Sequence, residues 1–174
     1  MHDRPLPFML SDNQASIVIR PMAARDFEAV ASLIASIENF NQAEVECALE
    51  LVDIYLNNKN QNDYRIVVAE DSASAVCGYA CWGPVPLTSG TYDLYWIATR
   101  RGTRGHGYGQ ALMAHVEDRV REDNGRLLVV ETSGKSSYEG TVGFYRRLGY
   151  EEVSRIEHFY DVGDDRLIFV KRLP

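Results

Sequence analysis

Cysteine is scarce in this chain, and the little there is makes no framework. Cys47, Cys77 and Cys81 are an odd set, and their spacings are not those of a zinc site. Cys77 and Cys81 lie four apart on a strand-like run, so one shared face is expected. The three thiols read as buried groups in a reducing cytoplasm, with no metal implied. Basic charge is in deficit as well: 18 Lys and Arg stand against 25 Asp and Glu, a net charge of −7. That balance argues against nucleic acid held on a basic surface and is compatible with an amine or cationic substrate. Long apolar runs are missing too. The opening Met-His-Asp-Arg-Pro leads into none, so neither a signal peptide nor a membrane span is expected, and the reading is a cytoplasmic protein with no membrane partner. Internal repeats and low-complexity segments are also lacking. The 174 residues therefore read as one domain large enough for a sizeable core, residues 17–174, preceded by an arm over residues 1–16 that carries two prolines.

What is present is a regular alternation of strand and helix patterns. Ile17 to Arg20 reads as a strand closed by Pro21. Asp26 starts or caps a helix in which Phe27, Val30, Ala31, Leu33, Ile34 and Ile37 recur at three and four. A second helix runs from about Ala43 to Leu56. Tyr64 to Glu70 and Ala75 to Gly83 pair about a turn at Asp71–Ser74. In the strand Thr91–Thr99, alternation puts Thr91, Asp93, Tyr95, Ile97 and Thr99 on one face and Tyr92, Leu94, Trp96 and Ala98 on the other. A helix over Gln110–Arg121 ends at Asp123-Asn124-Gly125, with Gly125 suited to a left-handed cap. Leu127–Val130 reads as a buried strand. Tyr138–Leu148 is helical and capped by Gly149. Tyr150–Glu157 and Leu167–Lys171 form a last strand pair joined by His158–Arg166. The order β-α-α-β-β-β-α-β-α-β-β implies an α/β sandwich, a mixed and mostly antiparallel sheet flanked by helices.

Between the Thr91 strand and the helix after it lies Arg104-Gly105-His106-Gly107-Tyr108-Gly109. Three glycines on alternate positions open the backbone to unusual φ and to close approach. A strand, a glycine turn and a helix leave free N–H groups at a helix N-terminus, where the dipole favours phosphate or pyrophosphate. The turn ends Gly109-Gln110-Ala111, without the Lys and hydroxyl of a nucleotide P-loop. A dinucleotide site wants an acidic residue about 20 positions on, which Glu131 satisfies, but its strand opens the domain and this one falls after the midpoint.

The spelling Arg-x-x-Gly-x-Gly at Arg104, Gly107 and Gly109 resembles the acyl-CoA pyrophosphate loop of the GNAT superfamily of N-acyltransferases. Downstream, Phe144-Tyr145-Arg146-Arg147-Leu148-Gly149-Tyr150 is similar to a second stretch of that family. The two motifs come in the family's order, and the resemblance covers roughly residues 17 to 172. It implies the GNAT fold and transfer of an acetyl group from acetyl-CoA, as co-substrate, to a primary amine of a small molecule or peptide. The alternative, from another class, is a non-catalytic acyl-CoA-binding sensor that keeps the loop and needs no catalytic side chain.

Carried over residue by residue, the resemblance puts the pantetheine arm on the strand edge Ile97-Ala98-Thr99 and the pyrophosphate on Arg104, Gly105, His106, Gly107, Tyr108 and Gly109. Tyr138 stands where many members have an asparagine near CoA. Thr99-Arg100-Arg101 replaces the usual aliphatic-x-Pro start of the linker, and Arg100 and Arg101 are either contacts to the 3′-phosphate or solvated. Tyr145 matches the tyrosine that protonates the leaving thiolate. Asp93, near where histone-acetylating members carry a glutamate base, and Glu131, at the end of the next strand, are the two carboxylates that can take the ammonium proton. Glu131 is the slightly favoured substrate contact, and the base is unassigned between them. His158 is either a pocket residue or a surface one. A homodimer is compatible with the family, with the C-terminal strands as the place of exchange.

Overall fold

The computed structural model describes residues 17–174, so the arm over residues 1–16 lies outside the described residues. One seven-stranded sheet runs through it in the order β1-β2-β3-β4-β5-β7-β6. The strands are β1 (Val18–Pro21), β2 (Arg65–Glu70), β3 (Val76–Pro84), β4 (Thr91–Thr99), β5 (Leu127–Ser133), β6 (Glu151–Asp161) and β7 (Asp164–Arg172). The helices are α1 (Phe27–Ala35), α2 (Gln42–Asn57), α3 (Tyr108–Glu122) and α4 (Glu139–Arg147). Every pairing is antiparallel except β4 with β5. The fold is thus the mixed α/β sandwich that the strand and helix patterns imply.

Each face of the sheet carries its own core. Val30, Ile34 and Val52 of α1 and α2 pack with Ile66, Val68, Tyr79 and Cys81. Leu112, Met113, Val116 and Val120 of α3 and Tyr145 of α4 pack with Leu94, Leu128, Val130, Leu167 and Phe169 on the other side. Two polar clusters tie helices to strands. Arg20 bonds to Asp26 at 2.7 and 2.8 Å and also pairs with Glu70, which holds β1 and β2 to the start of α1. Asp26 therefore spends its carboxylate on Arg20 and on the Ala23 N–H, in the 3₁₀ turn just before α1. On the far side, buried Glu117 of α3 accepts from Lys171 at 2.8 and 2.9 Å and from the Tyr150 hydroxyl at 3.1 Å. A charge that is buried must be matched in this way, because desolvating it alone is costly.

Two β-bulges correct the expected faces. β3 pairs with β2 as Ala69↔Gly78 and then Glu70↔Val76, which leaves Cys77 as an extra residue. Cys77 and the site of a Cβ on Gly78 both point to the α3 side, the latter 3.0 Å from Leu112 Cδ1. Cys77 and Cys81 consequently lie on opposite faces, since one inserted residue reverses a period-two pattern. The third thiol, Cys47, is exposed on α2 instead of buried. In β4 the register passes from Cys81↔Trp96 to Trp82↔Leu94, so Tyr95 is the extra residue. Tyr95, Trp96 and Ala98 pack on the α1/α2 side, whereas Tyr92, Leu94 and Ile97 pack on the α3 side. The two-face alternation expected for the whole strand holds on either side of Tyr95 but not across it.

Other corrections are local. The left-handed residue after α3 is Asn124, at φ 59°, and not Gly125. Gly125 is needed for closeness: a Cβ there would lie 2.3 Å from Val120 Cγ1. Segment 158–166 is mostly strand. β6 and β7 extend to a tight turn at Val162-Gly163, and His158 (φ 56°) accepts the Gly163 N–H on Nδ1 at 2.8 Å. His158 thus shapes this hairpin.

Candidate active site

The site is a split in the sheet. β4 pairs with β5 only from Thr91↔Leu127 to Leu94↔Val130. Beyond Val130, β5 continues with β7 (Glu131↔Ile168, Thr132↔Leu167, Ser133↔Arg166), and β4 continues with β3. The β4 edge from Tyr95 to Thr99 therefore has no strand beside it among the described residues. Unpaired strand edges present N–H and C=O groups in a row, ready for an added extended chain. The bulge at Tyr95 sits where the split begins. Ile97, Ala98 and Thr99 all lie on this edge, as expected.

At its lower end the edge runs into the glycine turn. Gly107 is the N-cap of α3 at φ 85°, a conformation that a side chain resists, and it offers no capping side chain. The N–H groups of Arg104, Gly105, Gly107, Tyr108, Gly109 and Gln110 donate to no described residue, while that of His106 is bonded to Thr103 O at 3.2 Å. Gly109 serves a second purpose: a Cβ there would meet the Phe144 ring at 3.3 Å, so its absence lets α3 and α4 close on each other. The side chains divide. Arg104 and His106 are exposed, and Arg104 has no ion-pair partner among the described residues. Tyr108 is buried in the α3-side core, so only its main chain faces the turn. Arg100 lies 3.7 Å from Asp71, and Arg101 pairs with Glu38.

At the upper end the structure brings the two predicted carboxylates onto one open sheet face. Asp93 pairs in register with Val129, two residues before Glu131. Its carboxylate is half-buried and accepts no hydrogen bond from a described residue. Burial pushes its pKa up from 3.8, and the Glu131 charge adds to this while Arg166 opposes it. Glu131 is exposed and accepts from Arg166 of β7; it caps no helix. Arg166 is the residue that the sequence reading missed. Its guanidinium lies 4.8 Å above the Phe159 ring and its Nε is buried without a hydrogen-bond partner. The available signal was Arg166-Leu167-Ile168-Phe169, in which alternation sends Arg166 to the face opposite Leu167 and Phe169.

Two tyrosines remain. The Tyr138 hydroxyl donates to Asn39 O at 3.0 Å, and Asn39 Nδ2 donates to Ser137 O at 2.9 Å. This clasp joins the α1–α2 connection to the start of α4 beside the split. Tyr145 is buried against Phe144, Tyr150 and Phe169, at ring separations of 5.4, 5.7 and 6.0 Å. Its pKa is raised by burial, and its hydroxyl bonds to no described residue. A crevice of about 590 Å³ at Arg20, Asp26, Glu70 and Arg100, and another of about 250 Å³ at Gly134, Lys135, Glu139 and Arg146, contain none of the predicted catalytic residues, though Arg100 is a candidate 3′-phosphate contact.

A sheet that parts between a parallel strand pair, above an uncapped helix N-terminus, is the arrangement that the resemblance to N-acyltransferases implies. The comparisons agree: the acetyltransferase (GNAT) domain family matches residues 62–152, and the chain belongs to that family. A GNAT-family protein from Desulfovibrio desulfuricans is 38% identical with a TM-score of 0.86, over 91% of this chain and 100% of the other. An L-methionine sulfoximine/L-methionine sulfone acetyltransferase from Pseudomonas aeruginosa is 31% identical over 100 residues. That match covers 56% of each protein, so the chain spans just over half the length of the curated relatives it matches. A protein from Salmonella typhimurium solved with its cofactor acetyl-CoA shares the fold at 16% identity, with a TM-score of 0.70 over 92% of this chain and 95% of the other.

Proposed function

We propose that the protein transfers the acetyl group of acetyl-CoA to a primary amine of a small molecule by direct attack on the thioester. The observation that carries this reading is the free β4 edge, Tyr95–Thr99, leading into the amides of Arg104–Gln110, all unbonded but that of His106. An extended arm that ends in a diphosphate fits both at once. Ile97, Ala98 and Thr99 supply main-chain partners for the arm, and residues 104–110 with the α3 dipole hold the diphosphate. The protein from Salmonella typhimurium carries acetyl-CoA in the same fold, and the curated relatives act on amino-acid derivatives, which supports a small acceptor over a peptide.

Acetyl-CoA supplies an activated acyl group, and the chain's residues manage position and protons. Holding the two reactants in one cleft contributes several kcal/mol of the roughly 7–11 available from proximity. Asp93, half-buried with its pKa raised by burial and with no hydrogen-bond donor among the described residues, takes one proton from the bound ammonium. The amine nitrogen then bonds to the acyl carbon, the C–S bond breaks, and the nitrogen loses its second proton to solvent. Tyr145 gives its proton to the departing thiolate and regains one from water. Glu131 faces the acceptor. Tyr138, whose hydroxyl donates to Asn39 O, holds the wall of the cleft. On the outer strand β6, Val153, Ile156, Phe159 and Tyr160 are exposed, which supports a homodimer; sedimentation of the purified protein would give twice the chain mass if it forms.

The test is a thiol-release assay with acetyl-CoA and a panel of amines. CoA production that depends on amine supports transfer. Binding of acetyl-CoA with no CoA released for any amine would make the protein a sensor and overturn the reading.

A further inference from the structure

The open sheet face carries an imbalance. Asp93, Glu131 and Arg166 share it: Asp93 lies opposite Val129, Glu131 two residues further along β5, and Arg166 opposite Ser133 on β7. Two carboxylates meet one guanidinium, so the face is one cation short. Arg166 in turn is one acceptor short. Of its donors, Nη2 bonds to Glu131 Oε1, Nη1 bonds to no described residue, and Nε is buried and unpartnered. The guanidinium carbon lies 4.8 Å from the Phe159 ring centroid, and the side chain keeps about a quarter of its exposure, so it can still be reached. Nη1, which is unpartnered and not buried, is the donor left for a ligand, and a guanidinium is suited to a carboxylate there. The half-buried Asp93 carboxylate, without a donor among the described residues, is suited to an ammonium.

We propose that the acceptor is an α-amino acid, and that Arg166 is the residue that reads its α-carboxylate. A zwitterion satisfies both shortages with one molecule. Its ammonium supplies the missing cation near Asp93 and Glu131, and its carboxylate takes the free Nη1 donors of Arg166. A simple cationic amine would cancel the charge at Asp93 but leave Arg166 unfilled. An acid without an amine would fill Arg166 and meet repulsion from two carboxylates. The inference rests on the acetyltransferase reading and adds the class of acceptor to it.

The experiment is steady-state kinetics with acetyl-CoA on matched trios: an L-amino acid, its carboxamide and its decarboxylated amine, over several side chains. For the wild type, kcat/KM should favour the amino acid over both analogues by about 100-fold or more, as sites built to bond a polar group reject analogues lacking it. Arg166→Gln should reduce that ratio to within about threefold, and Arg166→Lys should restore part of it. Carboxamides or plain amines acetylated as well as amino acids by the wild type would overturn the inference and leave transferase activity standing. An Arg166→Gln variant that slows all three members of a trio equally would also overturn it, reducing Arg166 to a holder of Glu131. Acetylation of nothing in the panel would overturn both readings. The wild-type trios decide the question even if the variants do not fold.

Discussion

At the glycine-turn end of β4 the groups on offer are main-chain amides, held in place by Gly107 at positive φ and by the close packing of Gly109 on Phe144. At the other end they are side-chain charges, Asp93, Glu131 and Arg166, brought together by three strands. The first end should be indifferent to most substitutions of exposed side chains, because the groups it offers are main-chain N–H donors. The second depends on individual atoms. This contrast suits a common carrier at one end and a particular acceptor at the other, and it can be broken from either side.

The largest effect is expected from the side-chain end. Asp93→Asn should lower kcat/KM by roughly 10²–10⁴-fold, the usual contribution of a positioned base. It should also remove the rise of activity with pH that follows Asp93 ionisation. The sign for stability is opposite. Because the folded state raises the Asp93 pKa above 3.8, its protonated form is the favoured one. The associated stability is complete below 3.8 and is lost as pH rises through the higher folded value. Asp93→Asn should therefore raise Tm at pH 7 and change it little at pH 3, which thermal melts at the two pH values check. Tyr145→Phe comes next, with kcat reduced about 10²-fold and acetyl-CoA affinity retained, read by thiol release and calorimetry.

At the main-chain end, Gly107→Val forces a β-branched residue into a left-handed position that costs about 1–3 kcal/mol. The Kd for acetyl-CoA should rise roughly tenfold, measured by calorimetry, because 1.4 kcal/mol corresponds to a factor of ten. The smallest effect is Arg101→Ala. Its exposed pair with Glu38 contributes at most about 1 kcal/mol, and acetyl-CoA affinity should stay within about threefold. A larger loss would show Arg101 holding a phosphate and blur the contrast between the two ends.

The same contrast separates what was legible in the chain from what was not. A glycine-rich turn announces itself through spacing, so the turn at residues 104–109 is legible, and the element order follows from apolar periodicity. Tyr108 shows the limit: the spelling included it, but its side chain belongs to the core. The charged end was only half visible. Asp93 and Glu131 could be named, but Arg166, the partner of Glu131, lies 35 residues beyond it and joins it only through the β5–β7 register. Asn39 and Tyr138, 99 residues apart, meet for similar tertiary reasons. The bulges at Cys77 and Tyr95 are invisible to a period of two, and each moved residues to the face opposite the one expected. The β6–β7 hairpin was read short because its polar, turn-rich sequence masks strands held together by pairing.

Hydrogen exchange by mass spectrometry, with and without saturating acetyl-CoA, tests the central claim most directly. The account predicts slowed exchange in two connected segments, the β4 edge over Tyr95–Thr99 and the turn over Arg104–Gln110, with the rest of the sheet unchanged. Protection confined to the crevice at Arg20 and Arg100, or none at residues 104–110, would contradict it.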